Sequence, residues 1–135
     1  MIEVVIPLKT QNEANSRDTA WRGRHRRSKN AHRAVALVMS QFDPKSVKLP
    51  AVVRLTRMSF GELDDDGLRS AMKYVRDAVA LWIGIDDKDV VSVMYQYAQG
   101  FAPRKTYAVK IEVFGGYRLR EEMVPARPTA HHPYA

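Results

Sequence analysis

Leu63-Asp64-Asp65-Asp66-Gly67-Leu68-Arg69-Ser70-Ala71-Met72-Lys73-Tyr74-Val75-Arg76-Asp77-Ala78-Val79-Ala80-Leu81-Trp82-Ile83-Gly84-Ile85-Asp86-Asp87 is the stretch on which the reading of this chain turns. Leu68, Ala71, Met72, Val75, Val79 and Trp82 recur at helical spacing, so a helix is expected over about 66–83. Aspartates suit its start, where they accept from free N–H groups and oppose the helix dipole. Gly84 suits the left-handed position just past its end. Arg69, Lys73 and Arg76 fall on one flank of this helix. Tyr74 and Leu81 fall on the other and widen the apolar arc beyond what one buried face requires. That surplus predicts contact with a second protein chain.

The carboxylates form two clusters, Asp64-Asp65-Asp66 and Asp86-Asp87. Each has a local explanation: the first as a helix cap, the second as an ordinary turn. Together, in a basic chain, they suggest a site for a hard divalent cation, because Mg²⁺ prefers carboxylate oxygens. Such an ion activates water and neutralises charge in phosphodiester hydrolysis. The spacing sets a geometric condition. A straight helix of this length is roughly 27 Å long and holds its ends apart. For Asp64, Asp66 and Asp87 to share one ion, the helix must be shorter or bent, or the clusters must meet across two subunits.

Outward from this stretch, Ile2 to Leu8 reads as a strand stopped by Pro7. Residues 9–29 are polar with little periodicity, and Arg22, Arg24, Arg26, Arg27 and Lys29 accumulate there without an acid among them. Bidentate arginine contacts to phosphate, with Trp21 free to stack on a base, make this the expected DNA-binding segment. Ala31, Val35, Val38, Met39 and Phe42 then predict a helix over 29–42, ended by Asp43-Pro44. Val52 to Met58 alternates like a half-buried strand. Val91, Val93, Tyr95 and Tyr97 alternate in one later segment, and Tyr107, Val109, Ile111 and Val113 in another. The polar loop between these two predicts an antiparallel hairpin. The expectation is an α+β domain, order β-α-β-α-β-β, with two main helices on a mixed or antiparallel sheet of about four strands. It spans residues 1–116, followed by a Pro-rich tail at 117–135 that is flexible or docked on a partner.

Composition bounds the function. The 135 residues make one domain, with 22 Lys+Arg against 15 Asp+Glu, a net charge of +7 and a pI near 9.9. That balance favours phosphate backbones. The absence of cysteine excludes disulfides and thiolate metal sites. No apolar run is long enough for a membrane span, and a cytoplasmic location is the default expectation. His25, His32 and the pair His131-His132 lie in basic or Pro-rich surroundings that do not favour a ligand role.

Leu63-Asp64-Asp65-Asp66-Gly67-Leu68, Lys73, Arg76-Asp77-Ala78 and Gly84-Ile85-Asp86-Asp87-Lys88-Asp89 resemble the RusA family of Holliday junction resolvases, commonly carried by phages and prophages. The similarity covers roughly residues 2–114, including the first strand ending at Pro7 and the polar loop with Asn12 and Asn15. It implies a homodimeric, Mg²⁺-dependent endodeoxyribonuclease, with Mn²⁺ as a substitute, that cuts four-way DNA junctions in recombination and repair. The metal-site aspartates would be Asp64, Asp66 and Asp87, with Asp86 beside them. Lys73 would be the catalytic lysine, and Arg69 and Arg76 would join the DNA contacts. Two positions depart from the pattern: Gly67 stands where the family has Asn, and Ser70 where it has its resolvase lysine. A non-catalytic DNA-binding protein of the same fold is the alternative that these departures favour.

Overall fold

The computed structural model describes residues 1–14, 21–86 and 88–116; the tail at 117–135 and Asp87 lie outside the described residues. The elements are β1 (Ile2–Ile6), α1 (Trp21–Met39), a 3-10 turn at Pro44–Ser46, β2 (Ala51–Ser59), α2 (Asp65–Ala71), α3 (Lys73–Ile83), β3 (Val93–Phe101) and β4 (Ala108–Gly115). This is an α+β fold with a mixed four-stranded sheet and three helices. The strand order is β1-β4-β2-β3. β4 is antiparallel to both β1 and β2, whereas β2 and β3 are parallel. β1, β2 and β3 therefore share one direction, and their carboxyl ends lie at the same end of the sheet.

Helices cover one face. Val4, Ile6, Val53, Leu55, Val93, Val109, Ile111 and Val113 point from the sheet into a core shared with Val35, Met39, Leu68, Met72, Val75 and Val79. Strand residues two apart share a face, which is why the alternation in β2 and β4 marks this core in the sequence. β2 differs from the half-buried strand expected. Flanked by β4 and β3, it buries Val52 and Thr56 on the opposite face as well, at 1% and 8% exposure. That second face is closed by cross-strand partners. Arg54 pairs with Glu112 at 3.5 Å and lies 4.9 Å from the Phe114 ring centroid, and Lys110 reaches Glu3 at 3.4 Å.

Three further sequence expectations change. The expected hairpin is absent, because β2 lies between β3 and β4; a strand buried on both faces takes the central place, which local alternation cannot reveal. The first helix begins at Trp21, well before residue 29. Its buried face continues backward from Val35 and Ala31 through Arg27 to Gly23, four residues at a time. An arginine and a glycine at those positions carry no apolar signal. The second helix divides at Met72, whose φ of −94° and ψ of 4° leave the helical region. Hydrogen bonds still run through the break, from Met72 N–H to Leu68 and from Arg76 N–H to Met72. Gly84 ends α3 at φ 84°, as its position in the sequence suggested.

Candidate nucleic-acid and metal site

The carboxyl ends of β1 and β2 release the chain into loops that meet over the start of α2. Asp64 caps that helix: its Oδ1 accepts from the Gly67 N–H at 2.7 Å. Asp65 and Asp66 form the first turn and stay exposed. Their side chains have no hydrogen-bond or ion-pair partner among the described residues. A carboxylate pair left this way at a helix start, on an exposed surface, is available to a cation or to solvent.

The loop after β1 fixes this turn from the side. Asn12 Oδ1 and Ser70 Oγ both accept from the Ala14 N–H, each at 3.0 Å. Glu13 is buried, and Arg27 holds it in a bidentate pair, Nε to Oε2 and a terminal nitrogen to Oε1, both 2.7 Å. Charge-assisted fork geometry of this kind is strong and directional. Arg27, one of the arginines expected to contact DNA, has Glu13 as an internal partner. Ser70 acts here as a loop anchor. Gly67 is buried beneath the same contacts. A Cβ there would approach Asp64 Oδ1 to 2.8 Å and Asn12 Nδ2 to 3.0 Å. The glycine therefore leaves room for the Asn12 amide above the helix start.

On the far side, the segment leading to Asp64 is clipped to the sheet. The Gln99 side chain accepts from Leu63 N–H at 2.8 Å and donates to Leu63 C=O at 2.7 Å. Arg57 donates to the Gly61 carbonyl at 3.0 Å. Burial pushes the Arg57 guanidinium down from its ordinary value, with Tyr107 opposing the shift.

The other predicted residues separate. Arg22, Arg24, Arg26 and Lys29 are exposed on α1. Arg22, Arg26, Lys29 and Arg33 recur at helical spacing and form a basic stripe. Trp21, 73% exposed, stacks on His25 with centroids 5.1 Å apart. Arg69 lies 5.0 Å over the Tyr97 ring, and Arg76 donates to the Tyr97 hydroxyl at 3.3 Å. Lys73 is half exposed and paired with Asp77 at 3.1 Å, one turn along α3. Asp86 stands at the opposite end of the sheet, in the turn before the amino end of β3. Its Oδ1 accepts from Lys88 N–H at 2.9 Å. Nearby Asp89 accepts from the N–H groups of Val91 and Ser92, and these bonds, Ser92 foremost, lower its pKa.

α2 and α3 together span residues 65–83, roughly 28 Å at the helical rise. The break at Met72 does not fold them back, and no three acidic or histidine side chains converge on a metal-sized space among the described residues. Asp64 and Asp66 of one chain and Asp86 of the same chain do not meet. No family model matches the chain, and no curated protein matches its sequence. No helix among the described residues is long and apolar enough to cross a membrane.

Sequence reading missed the Glu13–Arg27 pair, the Gln99 clip and the role of Asn12. The pair and the clip join residues 14 and 36 apart in the chain, Asn12 meets Gly67 only through the fold, and none carries a local periodicity.

Proposed function

We infer that this protein is a Mg²⁺-dependent endodeoxyribonuclease of RusA type, selective for branched DNA such as a four-way junction, and that it works as a homodimer. The observation that carries the reading is the turn Asp64–Asp66. Two carboxylates with no partner among the described residues sit on a supported helix start, at the end of the sheet where α1 also begins its basic stripe. Ligands of α/β sheets bind outside the carboxyl ends of parallel strands, and this turn is placed there.

Among the described residues one chain brings together an incomplete set of ligands, so the reading calls on a second copy. Two copies with their α2–α3 segments side by side and antiparallel would set one copy's Asp64 and Asp66 beside the other copy's Asp86-Asp87 turn. Asp64 would contribute Oδ2, since Oδ1 holds the helix cap. When bound there, Mg²⁺ supplies an activated water and neutralises the phosphate. Arg22, Arg24, Arg26 and Lys29 hold the DNA backbone, and Arg69 and Arg76, braced on Tyr97, extend that surface. Lys73 releases Asp77 to meet negative charge on the phosphate or leaving oxygen.

A labelled junction incubated in Mg²⁺ and in EDTA tests the activity. Two inactive variants, Asp66→Asn and Asp87→Asn, test the shared site when mixed: verified heterodimers regain cutting, whereas no recovery places the site within one chain. Calorimetric Mg²⁺ titration of Asp66→Asn gives a readout independent of turnover, and a monomer by light scattering at micromolar concentration counts against the dimer. The second reading, a DNA-binding protein without catalysis, is favoured by the capping bond of Asp64 and the anchoring bond of Ser70. Junction binding without Mg²⁺-dependent nicking selects it.

A further inference from the structure

Beside the acidic turn, the carboxyl ends of β2 and β3 carry two exposed aromatic rings that neither the core nor the acidic turn requires. Phe60 follows β2 and Phe101 closes β3. Ser59 is opposite Phe101 in the parallel register, so both rings leave the sheet at one end. Their centroids are 5.8 Å apart and their planes are tilted by 56°. Phe60 is 45% exposed and Phe101 37%. Arg104 places its guanidinium 4.2 Å from the Phe60 centroid. A turn closed by Thr106 N–H on the Pro103 carbonyl holds that arginine, with Lys105 at φ 64° in the left-handed region. A non-glycine residue rarely takes that conformation, so the turn is held by its surroundings.

The rings are fixed relative to the carboxylates. Gln99 and Arg57 clip the intervening Gly61–Leu63 segment to the sheet, as described above. Three residues separate Phe60 from Asp64, and the four backbone steps between them reach at most about 14 Å, a few nucleotide steps.

The geometry points to Phe60, Phe101 and Arg104 as a platform on which one unpaired nucleobase stacks while its phosphate is presented to the acidic turn. This rests on the reading that the protein acts on DNA. Every base has a π-face, so aromatic rings accept it without sequence preference, and an arginine on the same platform answers the phosphate charge. A protein partner fits less well. Two rings bordered by Arg104 and Lys105 fall far short of the ~800 Å² per side of a stable protein interface. Where a duplex branches or frays, a base loses a stacking neighbour, and the platform replaces it. The consequence is preference for branched DNA over plain duplex.

The test uses the full chain and a four-way junction with 2-aminopurine at the branch point, without divalent cation so that nothing is cut. Phe60→Leu/Phe101→Leu keeps apolar bulk but removes the stacking face, and an unchanged melting temperature verifies its fold. The expected result is that wild-type protein alters the 2-aminopurine fluorescence and the double variant does not. Junction-over-duplex preference falls roughly tenfold, as expected for loss of one base–aromatic stack, while duplex affinity is kept. An unchanged preference and fluorescence response in the variant overturns the platform alone, leaving the nuclease reading standing. Conversion of a dimer to a monomer in the variant, by light scattering, overturns it in favour of a protein contact. A wild-type protein that binds no DNA at low salt overturns both readings.

Discussion

The two acidic turns look alike as sequence and differ in what their carboxylates do. At 64–66 one carboxylate caps a helix and two have no partner among the described residues. At the other turn, Asp86 and Asp89 accept N–H groups of their own loop, at Lys88, Val91 and Ser92. The first turn is braced from outside, by Ala14 and Ser70 on one side and Gln99 on the other; the second shows bonds within its own loop among the described residues. The number of acids in a run therefore says little about function. What matters is how many free N–H groups lie within reach, since a carboxylate satisfied by its own loop has less left for a ligand.

The largest expected effect breaks the bracing of the first turn. Arg27→Ala leaves buried Glu13 unpaired and should cost about 3–5 kcal/mol, measured by denaturant unfolding. Hydrogen exchange should quicken at residues 9–14 and stay unchanged at 88–92. Glu13→Gln together with Arg27→Met should recover most of the loss, because no charge then remains buried. Next comes the chemistry: Asp66→Asn should reduce Mg²⁺-dependent nicking by more than about a hundredfold, the scale set by removal of one preorganised charge. Junction binding by gel shift should persist, and unchanged nicking would remove Asp66 from the mechanism. Asp64→Ala removes a cap and should destabilise by about 1 kcal/mol, with nicking also reduced.

The smallest effect sharpens the comparison through pH. The Asp89 carboxyl is held below its ordinary value of 3.8 by hydrogen bonds from Ser92 and Val91. The stability it contributes is therefore complete above 3.8 and is lost as pH falls through the lower folded value. Asp89→Asn should flatten the acid limb of the melting-temperature profile and change nothing near neutrality. A wild-type profile and a variant profile of the same shape would remove Asp89 from the acid response.

Much of the architecture was legible from periodicity. The alternation of Val53 and Leu55, and of Val109, Ile111 and Val113, marks core strands, and the stripe Leu68, Met72, Val75, Val79 marks the helices that cover them. What escaped depends on partners distant in sequence. β2 and β4 pair across a separation that no local pattern encodes, and the hairpin between β3 and β4 was the short-range guess that their pairing displaced. The start of α1 escaped because its inward positions there are Gly23 and Arg27, the latter partly buried and paired with Glu13. At the site, the acidic residues and exposed arginines could be named from sequence. The opposite placement of Asp66 and Asp86 could be posed only as a condition on helix length, and the structure meets it on the extended side.

β4, the last strand among the described residues, is an inner strand of the sheet. While β4 is still inside the ribosome, β1 has no hydrogen-bonded neighbour and β2 has only β3. Ile2 through Ile6 must wait for Val109 through Val113, a loop closure across most of the polypeptide. Until then the nascent protein exposes two open strand edges rich in valine and isoleucine, the surfaces on which unwanted pairing between chains begins. Synthesis halted anywhere before residue 108 should yield an aggregation-prone product, however much of the helical layer has already formed.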